Sequence, residues 1–195
     1  MSKTTIPTGG LADSAVTSAK ITDATIASGD LADDAVTAAK IADAVGLGKI
    51  GQVITATHAT ESNNNSTTFA TTGLTANITP SATSSKVFIS YQVPFYQDAN
   101  GSAICSALHA IYKGGSSLQD FGPAWGMTSR SINYCYQGTA VYLDSPSSTS
   151  QLTYAVYYRP YDTGEGQLIY ACPDSNNGGM FADSTASLVL MEVLA

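Results

Sequence analysis

Charge is what this chain has least of: 12% of its 195 residues are Asp, Glu, Lys or Arg, where a helical cytosolic enzyme carries about a quarter. Eight Lys and Arg stand against fifteen acids, a net charge of −7. So few cations can neutralise few phosphates, and nucleic acid is not an expected partner. No run approaches the roughly 18 apolar residues of a spanning helix, so membrane insertion is not expected either. The opening Met-Ser-Lys-Thr-Thr lacks an apolar signal-peptide core, which points to synthesis in a cytoplasm without a signal peptide. Cys105, Cys135 and Cys172 have no Cys-x-x-Cys spacing and sit in apolar runs. They read as small buried strand residues, with a disulfide or metal role as the alternative. His58 and His109 stand alone, without His-x-His, His-x-x-x-His or Gly-x-Ser-x-Gly partners. Neither a metal, a cofactor nor a hydroxyl nucleophile is expected.

Thr, Ser, Ala and Gly fill the space that charge leaves, together with eleven tyrosines. Frequent β-branched and aromatic residues with little Glu or Lys favour strands, so the expected class is all-β.

The first fifty residues repeat. Leu11, Val16, Ile21, Ile26, Leu31, Val36 and Ile41 fall five residues apart, each two positions after a small or short residue such as Gly9, Ala19 or Gly29. Asp13, Asp23, Asp33 and Asp43 recur every ten residues. On an α-helix a step of five rotates a residue by about 140°, which spreads the aliphatics around the cylinder and leaves no seam. A coiled coil needs a spacing near 3.5. On an unbroken strand an odd step throws successive aliphatics to opposite faces. One face can be buried only if the backbone turns within each unit, and the Asp, Ser, Gly and Thr positions supply turn chemistry.

A narrow β-type shaft over residues 11–45 follows, with its core at the seven aliphatics. So few buried side chains fall well short of the entropy of ordering about 35 residues in one chain. Winding several chains together pairs the open edges, and three copies are the favoured reading. A single-chain pentapeptide-repeat β-helix is the alternative, but it would have only about two coils where such solenoids need roughly three repeats. The Asp column reads as turn residues bonding nearby amides, or as a ring holding a cation on a threefold axis.

Residues 1–10 read as a docking peptide, and residues 46–51, with Gly46, Gly48 and Gly51, as a joint. From 52 to 195 the chain reads as a β head. Candidate strands are 52–58, 67–71, 74–79, 86–94, 103–113, 117–122, 139–143, 151–158, 167–172 and 187–194, separated by Asn-, Ser- and Gly-rich turns. So many strands without an amphipathic helix make an antiparallel sandwich, jelly-roll-like. Some strands are apolar on both faces: Val87, Ile89, Tyr91 and Val93 oppose Phe88 and Pro94, while Leu188 and Leu190 oppose Val189, Met191 and Val193. A sandwich strand has that pattern when its outer face packs on a neighbouring subunit; a misjudged register gives it too.

Four strings carry a resemblance: Ile50-Gly-Gln-Val-Ile-Thr55, the stretch from Gly73 to Val87, Leu143-Asp-Ser-Pro-Ser-Ser-Thr149 and Ala186-Ser-Leu-Val-Leu-Met-Glu-Val193. They resemble C-terminal domains of tail-fibre-like proteins of marine bacteriophages, cyanophages among them, and the Ala-Lys-Ile-Ala-Asp repeat is similar to shafts that precede such domains. The resemblance implies a homotrimeric virion protein, often one that binds a receptor, and carries over no defined binding residue. A capsid fibre or decoration protein with a purely structural role is the alternative.

Glycan depolymerisation is the enzymatic rival, and it needs two carboxylates about 5–9.5 Å apart across a cleft. The head acids are Glu61, Asp98, Asp120, Asp144, Asp162, Glu165, Asp174, Asp183 and Glu192, most of them in turn-like settings. No catalytic residue is expected. Adhesion to a host glycan or protein has better candidates, because glycan sites favour aromatic faces beside polar loop groups. These are Tyr96 and Asp98, the single tryptophan Trp125, and Arg159, Tyr161 and Asp162.

Overall fold

A computed structural model describes residues 7, 9–10, 12, 15–33, 35–36, 49–98, 106–123, 134–161, 168–174 and 184–194. It divides into two units, Met1–Leu47 and Gly48–Ala195.

In the first unit the spacing of the aliphatics reappears as the spacing of turns. Backbone N–H groups of Gly10, Ala15, Lys20, Thr25, Asp30 and Ala35 donate to the carbonyls of Pro7, Ala12, Thr17, Thr22, Ala27 and Ala32, at 2.8–3.1 Å. Each turn ends one residue before an aliphatic. Two of them tighten into single 3-10 turns, Ser18–Lys20 and Ser28–Asp30. Others bring a residue into the left-handed region, Gly9 at φ 90° and Ala24 at φ 63°. Among the described residues of this unit there is no strand ladder, since one chain offers its extended segments no edge to pair with. The described aliphatics Val16, Ile21, Ile26, Leu31 and Val36 remain 42–55% exposed. Leu11 and Ile41 lie outside the described residues.

The second unit is an antiparallel sandwich with ten strands among its described residues: β1 (Ile50–His58), β2 (Ser62–Asn64), β3 (Ala70–Ile78), β4 (Lys86–Asp98), β5 (Ala107–Lys113), β6 (Ser116–Pro123), β7 (Tyr134–Asp144), β8 (Leu152–Pro160), β9 (Leu168–Ala171) and β10 (Ala186–Val193). No α-helix occurs among the described residues. The pairing is nested: β1 with β10, β2 with β9, β3 with β8, β4 with β7 and β5 with β6. The strands thus form one long hairpin, its tip at the β5–β6 turn. There Gly114 (φ 58°) and Gly115 (φ 84°) supply the two left-handed positions that a two-residue hairpin favours.

Further pairings of β10 and β9 with β4, and of β5 with β8, roll this hairpin into two sheets. Sheet A carries β1, β10, β4, β9, β2 and β7; sheet B runs β3-β8-β5-β6. Setting aside the short pair β2 and β9, the two four-stranded layers are those of a jelly roll.

Alternation fills the space between the layers. Val87, Ile89, Tyr91, Val93 and Phe95 of β4 face Tyr154, Val156 and Tyr158 of β8, and all are 0–3% exposed. Several boundaries differ from expectation for local reasons. Strand β4 runs four residues beyond Pro94, where the sequence suggested a stop. On one side β4 pairs with β10 as far as Gln92 and with β9 from Phe95, so the missing N–H of Pro94 falls in the gap between two partners. The two runs expected at 67–71 and 74–79 are one strand, β3, with a register shift between Thr71 and Thr75. At the shift Gly73 adopts φ 85°, and a Cβ there would strike the His58 ring. The Asn-rich segment expected as a turn contributes β2 instead, because its backbone finds an edge at β9. Of the cysteines, Cys172 is buried, Cys135 is exposed on β7, and Cys105 lies outside the described residues. The burial expected of Cys135 is thus corrected: odd residues of this part of β7 point outward.

Candidate functional site

His109, Asp144 and Glu192, buried in the head, are tied into structure, whereas both side-chain amide atoms of Gln97 are buried without a hydrogen-bond partner among the described residues. The Tyr91 hydroxyl bonds His109 Nδ1, and the imidazole lies between Phe95 and Phe121. Burial lowers the pKa of His109 to about 4, so near pH 7 the ring is neutral. Asp144 Oδ2 accepts from Lys113 Nζ at 2.8 Å and from the Tyr154 hydroxyl at 2.6 Å. Glu192 Oε1 accepts from the Ser81 amide and hydroxyl, both at 2.6 Å, and Oε2 from Gln52 at 2.9 Å. Burial alone would raise the Glu192 pKa, but the bonds from Gln52 and Ser81 outweigh it and hold the group at about 2. Glu61 accepts from the Asp174 amide and Asp120 from the Ser117 hydroxyl. Glu61, Asp144 and Glu192 thereby clip separate segments together, and Asp120 bonds within its own strand. Among the described residues no cluster of three His, Cys, Asp or Glu could hold a metal.

The surface chemistry lies on the two outer faces of the sandwich, which differ. On sheet B, Tyr112 of β5 and Tyr157 of β8 stack with ring centroids 3.9 Å apart and planes 14° from parallel. Phe69 lies 6.0 Å from Tyr112, and the Arg159 guanidinium sits 5.2 Å over the Phe69 ring. Asp120 is paired in register with Ala110 on the adjoining strand. Burial first, then the charge of Asp120 and the neighbouring Tyr157, raises the pKa of Tyr112. The result is a half-buried aromatic platform with a cation on one side and a carboxylate on the other.

On sheet A the outer face is nearly free of charge. Register places Val53, Met191, Phe88 and Leu143 in one row across β1, β10, β4 and β7. The next row is Thr55, Val189, Ser90 and Val141, and the one beyond it Thr57, Ser187, Gln92 and Thr139. A shallow groove of about 410 Å³ runs along the last two rows. The outward residues of β4 and β10 are those whose apolarity opposed the core face in the sequence.

Of the residues expected to bind a receptor, the side chains of Tyr96, Arg159 and Tyr161 are among the described ones. Tyr96 is a correction: it is 4% exposed, because the extension of β4 pairs it with Tyr170 of β9, the rings 5.6 Å apart. Arg159 joins the sheet B platform. Tyr161 is 52% exposed, and its amide donates to the Ser106 carbonyl at 2.8 Å. Asp98 ends β4, but its side chain lies outside the described residues, as do Trp125 and Asp162 entirely. Tyr112, Tyr157 and Phe69 were missed. They are 43 to 88 residues apart or on separate strands, and only the period-two outward register of β5 and β8 hinted at a shared face.

No family model matches the sequence, and no curated protein matches it at a significant level. Among solved structures, latent PorU from Porphyromonas gingivalis aligns with TM-score 0.37 and 10% identity, over 73% of this chain and 12% of that one. VP2 of the infectious bursal disease virus subviral particle aligns with TM-score 0.34 and 16% identity, over 74% and 37%. The chain therefore spans well under half of either protein, and likeness at this level carries no argument about its function.

Proposed function

We propose that this chain is a fibre protein of a bacteriophage virion, a homotrimer whose pentads form the shaft and whose jelly roll is an adhesive head without catalytic chemistry. The observation that carries the reading is the run of aliphatics left 42–55% exposed on a backbone that turns every five residues. A lone chain gains little by ordering such a segment, whereas three copies wound together would bury its aliphatic side and pair its extended segments. The resemblance to tail-fibre-like proteins supports the same reading, with the N-terminal peptide docking onto other virion proteins. For adhesion, the sheet B platform of Phe69, Tyr112, Tyr157 and Arg159 offers the chemistry that a host glycan or protein surface would meet.

Mass measurement of the full chain in solution tests the assembly, with three copies expected; a monomer would overturn it. Adsorption competition tests the head. Purified protein should block phage adsorption to host cells, and loss of blocking in Tyr157→Ala should accompany loss of cell binding. A full chain that neither binds cells nor competes removes the adhesive half of the proposal.

A further inference from the structure

We infer that the outer face of sheet A is where head domains of separate copies pack on one another. This rests on the self-association proposed above and names the surface that carries it in the head. The exposed large aliphatics of the described head are Ile50 (47%), Val53 (51%), Val141 (63%) and Leu143 (47%), and register gathers them on this face. Phe88, Val189, Met191 and Val193, all partly exposed, fill the positions between them. Lys86, paired with Val193, is the charge at its margin. A contiguous aliphatic surface with so little charge has the composition of a homomeric interface rather than of an ordinary wet surface. Phe88 is its aromatic, and its hydroxyl and amide groups, on Ser90, Gln92, Thr139 and Ser187, lie in the rows beyond the aliphatic one; the stacked tyrosines and the Arg159 guanidinium are on the opposite sheet.

Size and connectivity select a second copy as the occupant. Four strands at about 4.8 Å spacing, with same-face rows about 7 Å apart, make a patch on the order of 15 Å by 20 Å, about 300 Å², less than the roughly 800 Å² per partner of a free-standing stable complex. A foreign protein would need further contacts. Copies of this chain have them already, because Ile50 follows the pentad repeat of residues 11–45 by five residues. Five residues span at most about 18 Å, so copies joined through their pentads hold the starts of β1 within reach of each other. At the effective concentration of such a short tether a small dry patch is enough.

Thiol labelling of the full chain tests this. Val141→Cys on sheet A and Thr153→Cys on the outer side of sheet B are each solvent-facing, so neither should disturb the core. Labelling is resolved from Cys105, Cys135 and Cys172 by peptide mass spectrometry and normalised to the urea-unfolded rate. In the assembled protein, position 141 should label at least tenfold more slowly than position 153. Equal rates in a protein that is oligomeric by mass would overturn this inference and leave the self-association reading standing. A monomeric wild type would overturn both. As a second measure, Val141→Lys with Leu143→Lys should shift dissociation to at least tenfold higher protein concentration while the far-ultraviolet spectrum is retained. An unshifted dissociation would count against the sheet A interface.

Discussion

The two units treat the same kinds of residue in opposite ways. In the sandwich, Ile89, Ile111, Leu188 and Leu190 are 0–1% exposed; in the pentad unit, Ile21, Ile26 and Leu31 keep 42–54% of their surface in solvent. Nothing in the residues themselves explains this, since both units draw on Ile, Leu and Val. Period explains it. Alternation every second residue lets a single chain roll into two sheets that bury each other's inner faces, whereas a turn every fifth residue gives one apolar side with no second layer in the same chain. The head carries its own core, and the described pentads do not.

The largest effect that would sharpen this contrast lies in the head. Phe95 packs against His109, Tyr136 and Tyr158 at full burial, so Phe95→Ala should cost about 3–5 kcal/mol in urea unfolding. Next is acid. His109 titrates at about 4 in the folded head against roughly 6.5 unfolded. Between those values the unfolded chain holds a proton that the folded one does not, so stability falls as pH drops from 6.5 to 4, by on the order of 3 kcal/mol. Glu192, at about 2, contributes stability that is present above an unfolded value near 4.3 and is lost as pH falls below it. Urea titrations across pH should find the upper slope flattened in His109→Gln and the lower one in Glu192→Gln.

Tyr154→Phe comes third. It removes the hydroxyl that donates to Asp144, and should cost about 1–3 kcal/mol while leaving the assembled mass unchanged. The smallest effect on the head is expected from Ile26→Ala, within about 0.5 kcal/mol of its unfolding free energy. Under the proposed self-association, the same change should lower the dissociation midpoint of the oligomer. A head destabilised by Ile26→Ala as much as by Phe95→Ala would break the comparison.

How much was legible in advance follows the range of the interaction concerned. The core strands could be found because β4, β8 and β10 alternate or run apolar over eight or more residues. Strand β2 could not, because Ser62-Asn63-Asn64 has turn chemistry and became a strand only when β9 offered an edge. Tyr96 looked like a loop aromatic because Pro94 ordinarily ends a strand. Its burial depended on two different strands meeting β4 on either side of that proline.

The sequence by itself determined the five-residue turns, the faces on which alternating residues fall and the scarcity of charge, because each depends on backbone geometry between near neighbours. The tertiary structure decided the nesting of β1 with β10 through β5 with β6, the stack of Tyr112 on Tyr157, and the row Val53, Met191, Phe88 and Leu143. Those contacts join residues far apart in the chain. Their partners are chosen by which apolar faces bury one another and which edges have free hydrogen-bonding groups, and local spacing records neither.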